Sequence, residues 1–143
     1  IVRKQAAEIQ NKVIILCGLP DQERKPEIID NITVYPHVST PVLKKLIENT
    51  DIIVCRSGYS SIMDLARFGK KVFFVPTPGQ TEQEYLASYL KQEGIADFAN
   101  QQEFRLSDVF KTYEDFSGFK NFPVNDTVHK AVEDFLGLIC NKL

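Results

Sequence analysis

The feature that most constrains the fold is a set of short, continuous apolar runs separated by polar segments with helical spacing. The runs are KVIILCG (residues 12–18), DIIVC (51–55) and KKVFFVP (70–76). Runs of this length without polar alternation are typical of parallel strands that are covered on both faces. The pattern therefore predicts an α/β fold.

The segments around these runs complete an alternating order of strands and helices. Helices are predicted at residues 1–10 (the tail of a helix), 40–49, 60–68, 82–93, 103–116 and 126–141. Shorter strands are predicted at 31–36 and 94–99, and the polar stretch LPDQERKPEIID is interpreted as a loop. Thr40 is the expected N-cap of its helix, with Pro41 at the first helical position. This order predicts a doubly wound parallel sheet with helices on both faces.

Composition places the chain among soluble globular proteins. It has 143 residues, of which 43% are hydrophobic and 25% are charged, enough for one compact domain with a core. Lys and Arg number 17 and Asp and Glu 19, a net charge of -2, which argues against a nucleic-acid partner. No apolar run approaches the roughly 20 residues that span a bilayer.

The sequence has few of the residues and motifs that form catalytic or metal centres. Cys17, Cys55 and Cys140 have no CxxC spacing and are expected to be buried, reduced thiols. No Cys–His cluster includes His37 or His129, so we predict no metal site. No nucleophile elbow is present, and the catalytic residue stays unknown. The sequence indicates a binding surface more clearly than a reaction centre.

The first of two unusual turns is RSGYSS (residues 56–61), which follows the strand DIIVC. Gly58 is expected to let the chain turn sharply and to let a ligand approach the backbone. The next helix directs its free amide groups and the positive end of its dipole at this place, which suits a diphosphate. Ser60 and Ser61 add hydroxyl donors. Ser61 and Asp64 also have the spacing of a capping box, which a helix needs without any ligand.

The second turn is VPTPGQ, which follows the strand KKVFFVP and reaches Gly79. Thr81 and Glu84 again have capping-box spacing, so Glu84 alone is better explained as a cap partner. Gln80 and Gln83 have no such structural explanation. Their amides offer donors and an acceptor at once, which suits sugar hydroxyls.

Three further side chains leave alternatives open. Arg56 either pairs with a phosphate or holds a neighbouring carboxylate, and we favour the structural role. His37 follows Pro36 at a strand end, where it lines a pocket or is a solvated turn residue. His129 lies on the last predicted helix and is expected to be exposed.

Two motifs occur together in this chain: D-x-x-V-x-R-S-G at residues 51–58 and VP…Q-E-Y at residues 75–85. With their flanking sequence, from about residue 12 to residue 100, they resemble the C-terminal, donor-binding domain of GT-B glycosyltransferases, in particular glycosyltransferase family 28. The resemblance implies a Rossmann-like domain that binds a nucleotide-diphosphate sugar. A UDP-sugar is the expected donor substrate, and no cofactor is expected.

The resemblance also implies roles for individual residues. In the family, the loop after the strand like NITVY holds the nucleotide base through main-chain groups, which places His37 and Val38 at the base. The turn after Arg-Ser-Gly faces the diphosphate. Its residues here are Ser57, Gly58, Tyr59, Ser60 and Ser61. An acidic residue early in the next helix takes the ribose hydroxyls, and Asp64 holds that place, where the family usually has Glu.

The donor sugar is expected at the second turn. A polar pair after the VP loop binds it in the family, here Gln83 and Glu84, and Gly79 and Gln80 lie directly before them. Ala87 stands where the family commonly has Asn, so the identity of the sugar is left open.

The resemblance further implies that part of the enzyme lies outside this sequence. An N-terminal domain supplies acceptor binding and, usually, the catalytic base, and the first strand of the C-terminal domain is expected before residue 1. We therefore expect residues 1–143 to be a single nucleotide-sugar-binding domain, a fragment with little or no transferase activity by itself. The expected partner is that N-terminal domain or a membrane-bound chain. The expected location is cytoplasmic, at the inner face of the membrane through the other half.

Two alternatives to a glycosyltransferase remain at this point. One is an enzyme like the UDP-sugar 2-epimerases, which use the same donor site with acidic and His residues that we cannot place here. The other is a non-catalytic, sugar-nucleotide-binding subunit of a split transferase.

Overall fold

The computed structural model describes residues 2–19 and 25–120. The predicted helix at 126–141, with His129 and Cys140, lies outside the described residues. The chain consists of two compact units. In the part of the chain that the structure describes, no helix has both the length and the apolar character needed to cross a membrane.

The first unit consists of residues 1–49 together with residues 105–108. Its elements are α1 (Val2–Ala6), β1 (Val13–Leu16), β2 (Glu27–Ile29), β3 (Ile32–Tyr35) and α2 (Thr40–Glu48). β1 pairs with β3 in parallel and β2 pairs with β3 in antiparallel fashion, giving the order β1-β3-β2. α2 begins one residue earlier than predicted, with Ser39 at the N-cap, so Pro41 occupies the second helical position.

The β2–β3 hairpin is the element that the sequence analysis missed. Ile29 pairs with Ile32, so Asp30 and Asn31 form a two-residue turn. Asp30 has a φ of 50°, a left-handed conformation that Asp and Asn adopt more readily than most residues. The Asn31 side-chain amide donates hydrogen bonds to the carbonyl oxygens of Ile9 (2.8 Å) and Asn11 (2.7 Å). The turn therefore also anchors the segment that follows α1.

The first unit buries little apolar surface within the described residues. Its buried apolar side chains are Ala6, Ile32, Val34 and Leu106. The prediction that the strand at 12–18 is covered on both faces is wrong for this structure, since β1 is half-buried and its last residue, Leu16, is exposed. Among the described strands, β1 pairs with β3 alone, and this single neighbour accounts for its exposure.

The second unit contains residues 50–104 and continues from residue 109. Its strands are β4 (Ile52–Cys55), β5 (Lys71–Phe74) and β6 (Asp97–Phe98), all parallel, in the order β4-β5-β6. The helices α3 (Tyr59–Arg67) and α4 (Thr81–Gln92) connect them, and α5 (Leu106–Lys111) is shorter than the predicted helix at 103–116. The predicted α/β class is confirmed, although the strands form two sheets and include one antiparallel pair.

The core of the second unit is built around β5, which has a strand on each side. Apolar side chains at helical spacing on α3 and α4 are buried as well, and both helices have polar residues exposed. The buried apolar residues are Ile62, Leu65, Ala66, Val72, Phe73, Phe74, Val75, Leu86, Ala87, Leu90, Ile95, Ala96, Phe104, Val109, Phe116 and Phe119.

Lys71 and Gly118 form a close contact at the start of β5. The Lys71 ammonium donates a hydrogen bond to the carbonyl oxygen of Tyr113 (2.6 Å) and lies 4.3 Å from the centre of its ring. Gly118 has a φ of +71°, and a Cβ atom there would lie 2.8 Å from Lys71 Cγ and 3.2 Å from the carbonyl oxygen of Lys70. Both its backbone conformation and its surroundings therefore require glycine.

We expect Gly118→Ala to lower the free energy of unfolding by about 3 kcal/mol, because it adds a steric clash to backbone strain. Gly94→Ala is the matched control, since Gly94 has a φ of +66° and open space around its Cβ position. It should lose only about 1 kcal/mol. Thermal or urea unfolding measures both values. Equal losses would show that the contact with Lys71 has no energetic importance.

Candidate functional site

The two turns singled out in the sequence lie at the same edge of the second unit's sheet. Cys55 at the end of β4 pairs with Phe74 at the end of β5, and the strands are parallel. Each chain segment then leaves the sheet through a short turn and enters a helix, α3 or α4. Ligands of α/β sheets bind beyond such carboxyl ends. The structure thus brings the predicted diphosphate turn and the predicted sugar turn together.

Helix α3 begins without a side-chain cap. Gly58 is its N-cap, and the Ile62 amide donates the first hydrogen bond of the helix to the Gly58 carbonyl oxygen (3.0 Å). The capping box predicted for Ser61 and Asp64 does not form, because the helix begins at Tyr59 and Ser61 is already its third residue. Gly58 has no side chain with which to cap the helix, and main-chain amides at a helix start of this kind can bind an anion.

The glycine at this N-cap corrects one prediction and supports another. Gly58 has φ −71° and ψ 143°, a conformation open to any residue, so the turn itself does not require glycine. A Cβ atom at this position would have nothing within 4 Å. Neither strain nor packing explains the missing side chain. What the glycine provides is open space directly in front of the helix amides, as close approach of a ligand would need.

The predicted ligand residues of α3 divide between two faces. Ser60 and Asp64 are exposed and one helical turn apart, so they share the outer face. Tyr59 and Ser61 are half-buried, and the opposite face packs into the core through Ile62, Leu65 and Ala66. The Asp64 carboxylate has no ion pair or hydrogen bond with a described residue. It is therefore available to accept hydrogen bonds from a ligand.

The second turn is held by bonds to its own backbone. Gly79 has a φ of +80°, and this left-handed conformation requires glycine. The Gln80 amide donates to the Thr77 carbonyl oxygen (3.1 Å), and the Gly79 amide donates to the Glu84 carboxylate (3.1 Å). The predicted capping box of Thr81 and Glu84 is wrong, because α4 begins at Thr81 itself with Gln80 as its N-cap. Glu84 supports the turn from further along the helix.

The glutamines have structural partners that the sequence did not reveal. The Gln83 side-chain oxygen accepts a hydrogen bond from the Thr77 amide (2.9 Å), and its NH₂ group donates to the Gln80 side-chain oxygen. The side chains of Gln80, Gln83 and Glu84 can still form further hydrogen bonds, because each has more donors or acceptors than these bonds use. The structure therefore places the predicted sugar-binding side chains on a turn that they themselves hold in shape.

Two residues at the end of β4 tie the turns to each other. The Ser57 hydroxyl donates to the Gln83 carbonyl oxygen (2.7 Å), and Ser57 is fully buried. Its contact with a diphosphate stays a prediction, and Ser57 has no exposed surface in this structure. Arg56 donates to the carbonyl oxygens of Val75 (2.8 Å) and Pro76 (3.0 Å). This supports the structural role favoured for it, with main-chain carbonyl oxygens as partners in place of the expected carboxylate. No sequence pattern identifies the main-chain partners of either side chain.

The two helix ends differ in charge. The first turn of α3 has no acidic residue, whereas that of α4 carries Glu82 and Glu84. Carboxylates at a helix N-terminus already offset the positive end of the dipole. The α3 end therefore favours an anion, and the α4 end favours a neutral group with many hydroxyls.

Other reactive groups contribute little in the described part of the chain. No group of three His, Cys, Asp or Glu residues could hold a metal ion there. Burial raises the pKa of Cys55 to about 12, so its thiol is neutral and a poor nucleophile at physiological pH. Cys17, predicted to be buried, is exposed.

His37 and Val38 belong to the first unit, in the loop between β3 and α2. His37 is exposed and Val38 is half-buried. The loop starts from Pro36, whose carbonyl oxygen accepts a hydrogen bond from the Leu19 amide (2.8 Å). Their part in binding a nucleotide base stays a prediction.

Comparison with protein families matches residues 1–135 to the glycosyltransferase family 28 C-terminal domain. The chain belongs to this family. The match covers both compact units and every residue predicted to contact a ligand.

Relatives of this family 28 domain include longer proteins named UDP-N-acetylglucosamine--N-acetylmuramyl-(pentapeptide) pyrophosphoryl-undecaprenol N-acetylglucosamine transferase. The one from Sulfurihydrogenibium sp. (strain YO3AOP1) is 30% identical over 142 residues, which cover 92% of this chain and 40% of that protein. The one from Campylobacter hominis is 26% identical over 146 residues, covering 95% and 42%. The chain thus spans about two fifths of the length of these relatives.

The fold also matches a solved structure. The solution structure of ALG13 is similar with a TM-score of 0.52 and 16% sequence identity, over 78% of this chain and 56% of ALG13. At this identity the likeness concerns the fold alone, and it agrees with the Rossmann-like architecture predicted from the sequence.

Substituting the N-cap glycine tests whether the α3 amides lack partners. We expect Gly58→Asp to raise the free energy of unfolding by roughly 0.5 to 1 kcal/mol, because the carboxylate can cap the amides and interact with the dipole. Gly58→Asn separates capping from charge, and Gly58→Ala, which cannot cap, should bring no gain. Thermal unfolding measures all three. If neither Asp nor Asn stabilises the protein, the helix end is already satisfied and the site loses its basis.

Proposed function

We propose that this chain is the donor-binding part of a glycosyltransferase that transfers a hexosyl group from a UDP-sugar to an acceptor. Membership of family 28 supports transfer, and the relatives named above are transferases whose names include UDP-N-acetylglucosamine. Those names also favour transfer over epimerisation. The observation that carries the proposal is the uncapped start of α3, with no acidic residue in its first turn and Gly58 leaving the approach open.

In this proposal the donor is divided between the two turns. The diphosphate would lie at the α3 amides, with the hydroxyl groups of Ser60 and Ser61 as further donors. The exposed Asp64 carboxylate, one turn along the same face as Ser60, would accept hydrogen bonds from the ribose hydroxyls.

The sugar would lie at the second turn. Gln80, Gln83 and Glu84 offer amide donors and carbonyl or carboxylate acceptors there, and Gly79 keeps the turn free of a side chain. The lack of an acidic group at α3 and the presence of two at α4 match a charged diphosphate and a neutral sugar, respectively.

This arrangement would assist the reaction electrostatically. An acceptor oxygen attacks the anomeric carbon with inversion, while the bond to the diphosphate breaks and negative charge grows on the leaving group. Amides fixed at the start of α3 stabilise that charge better than reorienting water does. The acceptor site, and the base that takes the acceptor's proton, would be supplied by an N-terminal domain or a partner chain at the inner face of the membrane.

Titration of UDP into the ¹⁵N-labelled chain tests the proposal. We expect the largest amide shifts at residues 58–61. Gly58→Asp, which places a negative charge at the diphosphate position, should weaken UDP binding roughly 10- to 100-fold. Gly58→Asn should weaken it less. Unchanged amide positions at millimolar UDP in a folded wild-type chain would overturn the proposal.

The role of Asp64 has its own test. We expect Asp64→Asn to weaken UDP about 10-fold, because a carboxylate accepts stronger hydrogen bonds from ribose than an amide does. The loss should be smaller for 2′-deoxy-UDP, which lacks one of the hydroxyls. Asp51→Asn is the matched control, since Asp51 is an exposed carboxylate at the opposite end of β4. Isothermal titration calorimetry gives the affinities, and equal losses for both nucleotides would remove Asp64 from the ribose.

A further inference from the structure

Three consecutive residues at the end of β4 each bond to the chain between the end of β5 and the first turn of α4. The Cys55 carbonyl oxygen accepts from the Val75 amide (2.9 Å), Arg56 donates to main-chain carbonyl oxygens, and Ser57 donates to the carbonyl oxygen of Gln83. We infer that Arg56 and Ser57 are positioning residues, which fix the place of the sugar turn relative to the diphosphate turn without touching the donor. The inference rests on the proposed function.

Ser57 supplies the more specific of the two links. It is the buried polar residue of the described core, and its hydroxyl is 2.7 Å from the Gln83 carbonyl oxygen. That oxygen lies in the first turn of α4, next to the predicted sugar contacts. Ser57 itself directly precedes the N-cap of α3. One hydroxyl therefore connects the beginnings of both helices.

Arg56 continues the pairing where the strand ladder stops. After Cys55 the chain turns into α3, so the backbone of β4 no longer offers donors to the segment after β5. The Arg56 guanidinium takes over, with one nitrogen at 2.8 Å from the Val75 carbonyl oxygen and 3.0 Å from that of Pro76. Its other terminal nitrogen donates to the Gln101 side chain (2.5 Å).

Gln83 connects the hydrogen bond from Ser57 to the sugar turn. Its main chain is bonded to Ser57, while its side chain accepts from the Thr77 amide and donates to Gln80. A shift of Gln83 would therefore move the backbone of the turn and the Gln80 side chain together. Since binding groups act best when they are held in place before the ligand arrives, the consequence should fall on the sugar and not on the diphosphate.

Comparing UDP with UDP-N-acetylglucosamine isolates that consequence. The affinity gained from the sugar is the ratio of the affinity for UDP-N-acetylglucosamine to the affinity for UDP. In Ser57→Ala the affinity for UDP should stay within about 2-fold of wild type, while this ratio should fall about 10-fold. Ser57→Cys keeps most of the volume but is a weak donor, so it should behave like Ser57→Ala. Arg56→Lys, which loses the planar fork of donors, should act in the same direction. Calorimetry gives both affinities for each variant.

Two controls separate positioning from other effects. Ser60→Ala, at the predicted diphosphate contact, should weaken both ligands equally. Lys71→Met removes the bond to the Tyr113 carbonyl oxygen at the far end of β5, so it should lower stability and leave the affinity gained from the sugar unchanged. Unfolding curves identify any variant that fails to fold, and the amide shifts of residues 77–84 then report the loosening in those that do.

The outcomes distinguish the inference from the function on which it rests. If the wild-type chain binds neither ligand, the proposed function fails. If wild type binds both, and Ser57→Ala and Ser57→Cys change the two affinities equally or change neither, the function stands and the positioning role is wrong.

Discussion

Everything that the second unit offers a ligand depends on the hydrogen bonds that leave the end of β4. Parallel strands are held in register by their ladder, but the ladder ends where the chains turn into helices. Beyond Cys55, side chains take its place: a guanidinium from Arg56 and a buried hydroxyl from Ser57. These bonds connect two turns, at residues 56–61 and 75–80, that are separated in sequence by most of α3 and the whole of β5. Arg56 and Ser57, which tie the two turns together, are thus distinct from the residues proposed to bind the donor.

The site combines a helix start without a side-chain cap and a turn that is closed by hydrogen bonds from its own side chains. Helix α3 starts with uncapped amides and no acidic side chain, whereas the turn before α4 is closed by Gln83, Glu84 and a left-handed glycine. An open helix end gives up stability that a capping side chain would supply, and functional sites are where such local costs are expected. The closed turn supplies rigidity next to it. Together they suit a ligand with a charged part and a neutral, hydroxyl-rich part.

Sequence patterns predicted the parts of the fold that depend on short-range order. The apolar runs at 51–55 and 70–76 became β4 and β5, and the turns after them lie where the parallel arrangement requires. Both capping boxes failed, however, because their spacing fits several helix starts, and contacts elsewhere in the chain select one of them. The burial of Ser57 was equally beyond reach. A serine beside a glycine has the same sequence signature whether its hydroxyl faces solvent or a carbonyl oxygen on the next helix.

In the first unit, a strand was missed because the stretch that contains it is mostly polar and was interpreted as a loop. Residues 27–29 follow a proline-containing polar stretch, and only the pairing with β3 makes them β2. What identifies the hairpin is the turn, where Asp30 takes the left-handed conformation and Asn31 reaches back to the segment after α1. Single-sequence reasoning weighs each residue by its own preference, and it therefore passes over a strand defined by its neighbour.

That hairpin also bears on how the chain folds. Among the described strands, β2 and β3 are the pair joined by a tight turn, while the parallel pairs each need a long crossover before their first hydrogen bond forms. The entropy lost in closing a loop rises with its length, so this antiparallel contact is the least costly one for an unfolded chain to make. The β2–β3 hairpin, half of which was interpreted as a loop, is therefore suited to form early in folding. The parallel sheet of the second unit forms through contacts between more distant residues, which are slower to make.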